Sequence, residues 1–535
     1  MITCGENINI LKTYIFLRRI IVDTQSKLSM FKDDLIKSKK YWIVFIVILI
    51  AFTLFKFQAI NYAHPKMEIV ALVVFSLFGV FAITYFQSHN DDKNIYKTAF
   101  VIILVFGLLS SFITPICYGP DDVEHFARAE MTSRGDFLPD YSGGTYHTIQ
   151  STIDLIEVGR DHADNGYDET SYNSTVFANK ESREPINNTL VEYPNAFAQN
   201  PFFGYLAPAI GMVLAKLFSM DAIWLVWFGR IFNVLLYAGL ASYAVKKTPI
   251  LKMPMLVFAC LPLAIYLAAS TSIDPFINGL ALVVVAFFFR MYKAPEKSLT
   301  KRDIAVFSVL ILILGLSKVT CFAFVLLLFA VPRDNFKLRK YYYYGFISLA
   351  VLGVVALLWT RYYANPGFLH SWRGNKWVLE NFNSTRQMDY ILAHKKDTIA
   401  ELAKMPLYFP SAMTFSANWV DFTDYLRLIF LGFVIFLYPH DFERAKSRVG
   451  ALIVSLIFYV GTYVTFLLSW APVGALDQYA PGVQVRYFYP IFGLLPFALG
   501  LNRDSLKGYD IDNIVILCVV LFISFRCMRY LLWSY

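Results

Sequence analysis

The feature that most constrains this chain is a recurring run of apolar residues too long for a soluble core. "TAFVIILVFGLLSS", residues 98–111, holds no charge. About 18 or more such residues in a row read as a helix crossing a bilayer. Comparable runs recur at 42–58, 67–87, 98–117, 224–245, 252–269, 276–292, 304–316, 319–331, 341–360, 425–439, 449–470, 488–501 and 513–534. Composition agrees: 57% of the 535 residues are hydrophobic and only 16% charged, against roughly 25% charged in soluble domains. The expected fold class is an all-α polytopic membrane protein with about 13 transmembrane helices, embedded in the lipid bilayer.

Lysine and arginine in short loops set the direction of insertion. With residues 1–41 in the cytoplasm, the inner segments hold 26 of them and the short outer loops only Lys66, Lys318 and Arg486. The stretch 201–218, "PFFGYLAPAIGMVLAKLF", is apolar but short and broken by glycine and proline. It is expected to return to the outer face without crossing. Two large outer regions result. The first, 119–200, carries 15 acidic against 5 basic residues although the whole chain is +9. The second, 361–424, contains Trp372, Trp377, Trp419 and a segment, 387–405, expected to form one amphipathic helix. Six cysteines without CxxC spacing suggest neither a disulfide framework nor a metal site. No nucleic-acid partner is expected.

Where the run at 98–117 ends, the chain reads "GPDDVEHFARA". Pro120 and the acids suit a helix start, and Gly135 suits its stop. Steps of three and four residues place Asp121, Glu124, His125 and Arg128 on one helical face. A solvated helix start is the plain reading. The cluster abuts a span directly, however, and Lys318 and Arg486 sit at the outer ends of other spans, where charges are costly and often functional. A carboxylate within reach of a hydroxyl can act as a base. Lysine or arginine can hold a phosphate leaving group. Acidic oxygens also suit a divalent cation, and a metal is left open. Asp274, before a proline in "STSIDP", and Arg230, inside a span, complete the set; each also has a structural reading, as turn former or snorkelling cation.

Several motifs then resemble one family, in order along residues 98–500. "PDDVEHFARA", "NPFFGYLAPAIG", "FGRIFNVLLY", "STSIDPFINGLAL", "LSKVTCFAFVLL" and "GVQVRYFYPIFGLLP" resemble the signatures of a bacterial membrane family known as domain of unknown function 2142. That family resembles the GT-C glycosyltransferases, which take sugar from polyprenyl-phosphate carriers on the outer face. Asp122, Val123 and Val485 stand where the family usually has Glu, Pro and Gly. The resemblance implies a GT-C-like membrane core over 98–501 with outer loops 119–223 and 361–424. It would follow a cytoplasmic segment, 1–41, and two added helices, 42–87, and precede a last helix, 513–535. It implies the bacterial cytoplasmic membrane as location, with the N-terminus cytoplasmic. It further implies an inverting transfer of one sugar from a polyprenyl-phosphate-linked donor to a cell-surface glycan acceptor. In that scheme Asp121, Asp122 and His125 are catalytic, while Glu124, Arg128, Arg230, Asp274, Lys318 and Arg486 bind substrate and phosphate. The competing classes are a lipid-linked oligosaccharide flippase or transporter and a polysaccharide polymerase or ligase. Transporters tend to place charge near the midplane and often carry repeats, whereas this sequence places charge at the rim and shows none.

Overall fold

The computed structural model describes residues 28–59, 65–139, 141, 145–165, 181–364, 380–404, 422–440, 444–476, 483–501, 506 and 510–534. The fold is helical. Among the described residues, strands are confined to one antiparallel ribbon, β1 (Tyr146–Ile149) on β2 (Leu190–Tyr193), with Tyr146 opposite Tyr193.

The chain enters through α1 (Leu28–Lys37) and α2 (Lys39–Ala59), which meet at a bend of 68°. There follow α3 (Pro65–His89), α4 (Ile95–Ile113), α5 (Asp122–Ser133), α6 (Gln150–Asn165), α7 (Leu206–Leu217), α8 (Ile223–Lys247), α9 (Lys252–Ala259), α10 (Pro262–Ala268), α11 (Asp274–Tyr292) and α12 (Lys301–Ser317). A 3-10 segment, Val319–Leu326, leads into α13 (Leu327–Ala330) and α14 (Arg339–Trp359). Then come α15 (Ser384–Ala393), α16 (Lys395–Lys404), α17 (Phe422–Gly432), α18 (Ala445–Trp470), α19 (Tyr489–Phe492), α20 (Leu495–Leu499) and α21 (Ile511–Ser534).

Among the described residues, seven helices are long and apolar enough to cross a membrane: α3, α4, α8, α11, α14, α18 and α21; the bent α1–α2 pair makes an eighth. The remaining expected spans are not continuous helices of that length. The run 252–269 is split into α9 and α10 because Pro262 starts a new helix at its first turn. The run 488–501 is split at Gly493 into two short turns. The run 319–331 opens with eight 3-10 residues. The stretch 201–218 forms a 3-10 turn and the twelve-residue α7. Twelve residues rise only about 18 Å, short of the roughly 30 Å of hydrocarbon.

Packing fixes what surrounds the acidic stretch. Gly211 on α7 lets the helix lie on the backbone of α8: a Cβ there would come within 2.3 Å of the Phe228 carbonyl oxygen. Helix α11 is enclosed by α8 and α12. By contrast α14 displays Ile347, Val351 and Leu357 outward, as a lipid-facing helix does. In the region 361–424 the expected single helix at 387–405 is two, α15 and α16, broken at His394, whose carbonyl accepts from Thr398. Ile391 is buried while Leu392 and Ile399 are exposed. Trp372, Trp377, Trp419 and Cys4 lie outside the described residues.

Candidate active site

Helix α4 stops because Pro115 forces Thr114 into extended backbone (φ −80°, ψ 123°). Its last carbonyls are therefore left without helical partners. Arg230, fully buried on α8, supplies them: its guanidinium donates to the carbonyls of Ser111 (3.2 Å), Thr114 (2.5 Å) and Pro115 (2.7 Å). Asp122 offsets that buried charge, with Oδ2 3.6 Å from Arg230 Nη2. Its Oδ1 accepts from the Thr271 hydroxyl at 3.2 Å. One turn along α8, Asn233 donates to the carbonyls of Ser270 (2.8 Å) and Ser272 (2.9 Å). One face of α8 thus holds both the 111–115 exit and the 270–272 turn, and so sets where Asp121 and Asp274 begin.

Asp121 precedes α5 in the left-handed region, φ 56° and ψ 24°. A non-glycine residue there is uncommon, although aspartate tolerates it better than most. The conformation turns its side chain out of register with the helix that follows. Arg486, buried between the two acids, donates through Nη2 to Asp121 Oδ2, through Nη1 to Asp274 Oδ2 at 2.9 Å and to the Pro120 carbonyl at 3.2 Å. Lys318, at the junction of α12 and the 3-10 segment, donates to the Tyr487 carbonyl at 2.8 Å and lies 4.8 Å from the Tyr487 ring centre.

These groups share one cavity of about 230 Å³. Asp121, His125, Asp274, Lys318 and Arg486 all line it, with Asn200, Thr320, Thr462, Thr465, Ser469 and Tyr487. Positions 121, 274, 318 and 486 are far apart in sequence, so only packing brings them together.

The other candidates are engaged elsewhere. Arg128 is fully buried and donates to the carbonyls of Asn200, Asp136 and Phe137 and to the Thr132 hydroxyl. Glu124, on the same helix, presents its carbonyl to Asn195 at 3.0 Å and is not among the lining side chains. Asp122 and Arg230 likewise do not line the cavity. The expected shared face therefore divides: Asp121 and His125 reach the cavity, while Glu124 and Arg128 do not.

Burial sets the charge states. It pushes the Glu124 carboxyl above the usual range and His125 below it, so the imidazole is neutral at neutral pH. It brings the Lys318 ammonium down to about 8. Burial works against the charge of Arg486 as well, but Tyr487, Asp274 and Asp121 more than compensate. Among the described residues, no three His, Cys, Asp or Glu side chains are grouped to hold a metal ion. Asp121 and Asp274 share the Arg486 guanidinium, so as arranged they do not fit a divalent cation.

Sequence reasoning missed Tyr205, Asn200 and Tyr487, which hold or line the site, and Glu130. The Glu130 carboxylate is fully buried and accepts from Arg134 (3.0 Å), Lys216 (2.9 Å) and Thr148 (2.8 Å), locking α5 to α7 and β1. A carboxylate in the last turn of a helix, four residues before an arginine, was the available signal.

A family model described as "Predicted membrane protein (DUF2142)" matches residues 104–495. The chain belongs to the DUF2142 family. The matched stretch runs from within α4 to α20 and contains every residue of the cavity, while α2, α3 and α21 lie outside it. No curated protein and no solved structure matches the chain.

Proposed function

We propose that this DUF2142 protein is a GT-C-like glycosyltransferase, moving a sugar from a polyprenyl-phosphate donor to a cell-surface glycan at the outer face of a bacterial cytoplasmic membrane. The observation that carries this reading is the convergence of Asp121, Asp274, Arg486 and Lys318 on one cavity.

The charges divide the roles. Arg486 with two carboxylates sums to −1, so that end repels phosphate and suits a hydroxyl acceptor. Lys318 is cationic, and of its three donor positions one is used by the Tyr487 carbonyl. It is the natural holder of the donor phosphate, beside the hydroxyls of Thr320 and Thr462, themselves 3.3 Å apart. Asp121, oriented by Arg486, takes the proton from the acceptor hydroxyl as that oxygen attacks the anomeric carbon. The bond from that carbon to the phosphate oxygen breaks with inversion, and Lys318 balances the charge growing on the released phosphate. Asp122 and Arg230 serve the backbone around the site.

The finer topology is part of the proposal. The 13 crossings would include the broken elements α9–α10, 319–330 and α19–α20. Contacts between loops support the alternation. Segments assigned to the inside meet one another: Lys252 with Asp92, Leu299 with Phe336, Lys40 with Asp510. Segments assigned to the outside do the same: Asn195 with Glu124, Arg486 with Asp274, Gly474 with Gln387.

The test is deletion and complementation, with surface glycans analysed alongside release of polyprenyl phosphate from labelled donor by purified protein. Asp121→Asn is expected to lower turnover by about 10²–10⁴-fold. Full restoration of the glycan by that variant, at normal expression, would overturn the reading.

A further inference from the structure

We infer that His125 is fixed as the neutral tautomer with its proton on Nε2, a hydrogen-bond donor to a hydroxyl oxygen of the sugar substrate, and that Tyr205 and Asn200 set that tautomer. The identity of the ligand rests on the function proposed above; the tautomer does not.

The hydrogen-bond count around Tyr205 carries the inference. His125 Nδ1 lies 2.7 Å from the Tyr205 hydroxyl. That hydroxyl also accepts from Asn200 Nδ2 at 3.0 Å. A phenol has a single proton, and among the described residues the acceptor beside it is His125 Nδ1. Nδ1 is then the accepting nitrogen, and in a neutral ring the proton belongs on Nε2. Burial keeps both partners in the required states, His125 neutral and Tyr205 a protonated phenol. Nε2 has no protein partner among the described residues and is not sealed off. The ring borders the cavity that holds Asp121 and Asp274.

The ring is also immobilised. It stacks on Phe197 at 4.5 Å. Arg128 donates twice to the Asn200 carbonyl, at 3.2 and 3.0 Å, and its guanidinium carbon lies 5.6 Å from the Tyr205 ring centre. Gly204 lets the turn pack on Ile273, next to Asp274, because a Cβ there would come within 2.5 Å of the Ile273 side chain. Arg128, Asn200 and Tyr205 are therefore positioning residues that act through His125. Beside a cluster of net charge −1, which suits a hydroxyl, a neutral N–H donates to a sugar oxygen without altering that charge.

The experiment uses the full chain in lipid nanodiscs with ¹⁵N-labelled histidine, the His125 signals being assigned by their loss in His125→Gln. Nδ1 is expected at the unprotonated position and Nε2 at the protonated one, with the pattern collapsing toward exchange between tautomers in Tyr205→Phe. A protonated Nδ1, or a spectrum unmoved by Tyr205→Phe, overturns the inference whatever the protein's activity. In the turnover assay, glutamine places an amide N–H near Nε2. His125→Gln is expected to retain turnover within about twofold, while His125→Asn loses about 3- to 10-fold, the range for one neutral hydrogen bond. Equal turnover in both variants removes the donor role. Full turnover in Asp121→Asn instead removes the functional reading and leaves the tautomer standing.

Discussion

Arg486 joins two acids of unequal exposure, and that inequality makes a quantitative prediction. The Arg486 side chain is 3% exposed; Asp274 is 14% exposed and Asp121 43%. Removing one member of a buried ion pair costs about 3–5 kcal/mol, because a desolvated charge is left behind. A solvated pair contributes about 0–1 kcal/mol. Arg486→Met is therefore expected to destabilise the fold by about 3–5 kcal/mol, most of it through Asp274. Double-mutant cycles separate the two legs. Pairing Arg486→Met with Asp274→Asn removes the stranded charge, and about 2–3 kcal/mol of coupling is expected. The same cycle with Asp121→Asn should give less than about 1 kcal/mol. Asp121→Asn alone then leaves stability nearly unchanged while lowering turnover. The assay is reversible unfolding of the full chain in mixed micelles, with each variant measured beside its parent. Equal coupling in the two cycles, or the larger value at Asp121, would refute the assignment of Asp274 as the structural leg and Asp121 as the reactive one.

Three further outcomes follow from the geometry. Gly211→Ala should destabilise, because overpacking against the Phe228 backbone costs about 1–3 kcal/mol and outweighs the roughly 1 kcal/mol gained in helix propensity. Gly239→Ala, with nothing within 4 Å of the new Cβ, should be neutral or stabilising, and the reverse order in thermal denaturation would refute the packing account. Lys318 loses its proton as pH rises through about 8, and only the ammonium attracts phosphate. Affinity for polyprenyl phosphate should therefore fall by up to about tenfold per pH unit above that point; a flat profile from pH 7 to about 9.5 would exclude Lys318 as the phosphate holder. For the orientation, Leu138→Cys should react with an impermeant maleimide in intact cells while Lys297→Cys is protected, and the opposite pattern would invert the topology.

The family signatures in the sequence pointed to most of the cavity. Asp121, His125, Asp274, Lys318 and Arg486 were all legible as charges or motif positions at the ends of apolar runs, since placing a charge at a bilayer rim is a local property. Which acid meets which cation was not legible. Asp121 and Asp122 are neighbours of the same charge, yet one faces the cavity and the other faces Arg230. The left-handed backbone at Asp121 sets it apart from the helix that follows; within α5 the spacing is regular, and Arg128 leaves the cavity because the carbonyls of Asn200, Asp136 and Phe137 take its guanidinium. Tyr205 and Asn200 lie in the motif "NPFFGYLAPAIG", but nothing in it singled them out, because a tyrosine in an aromatic stretch reads as core or membrane belt.

By itself the sequence determined the helical membrane class and the long apolar helices, because apolar length is a property of consecutive residues. The tertiary structure alone decided how charges pair. Arg486 reaches Asp121 across 365 positions and Asp274 across 212. Such partners are chosen by the packing of α8, α11 and α12 around a buried cation, which must find its counter-charge wherever the fold supplies one.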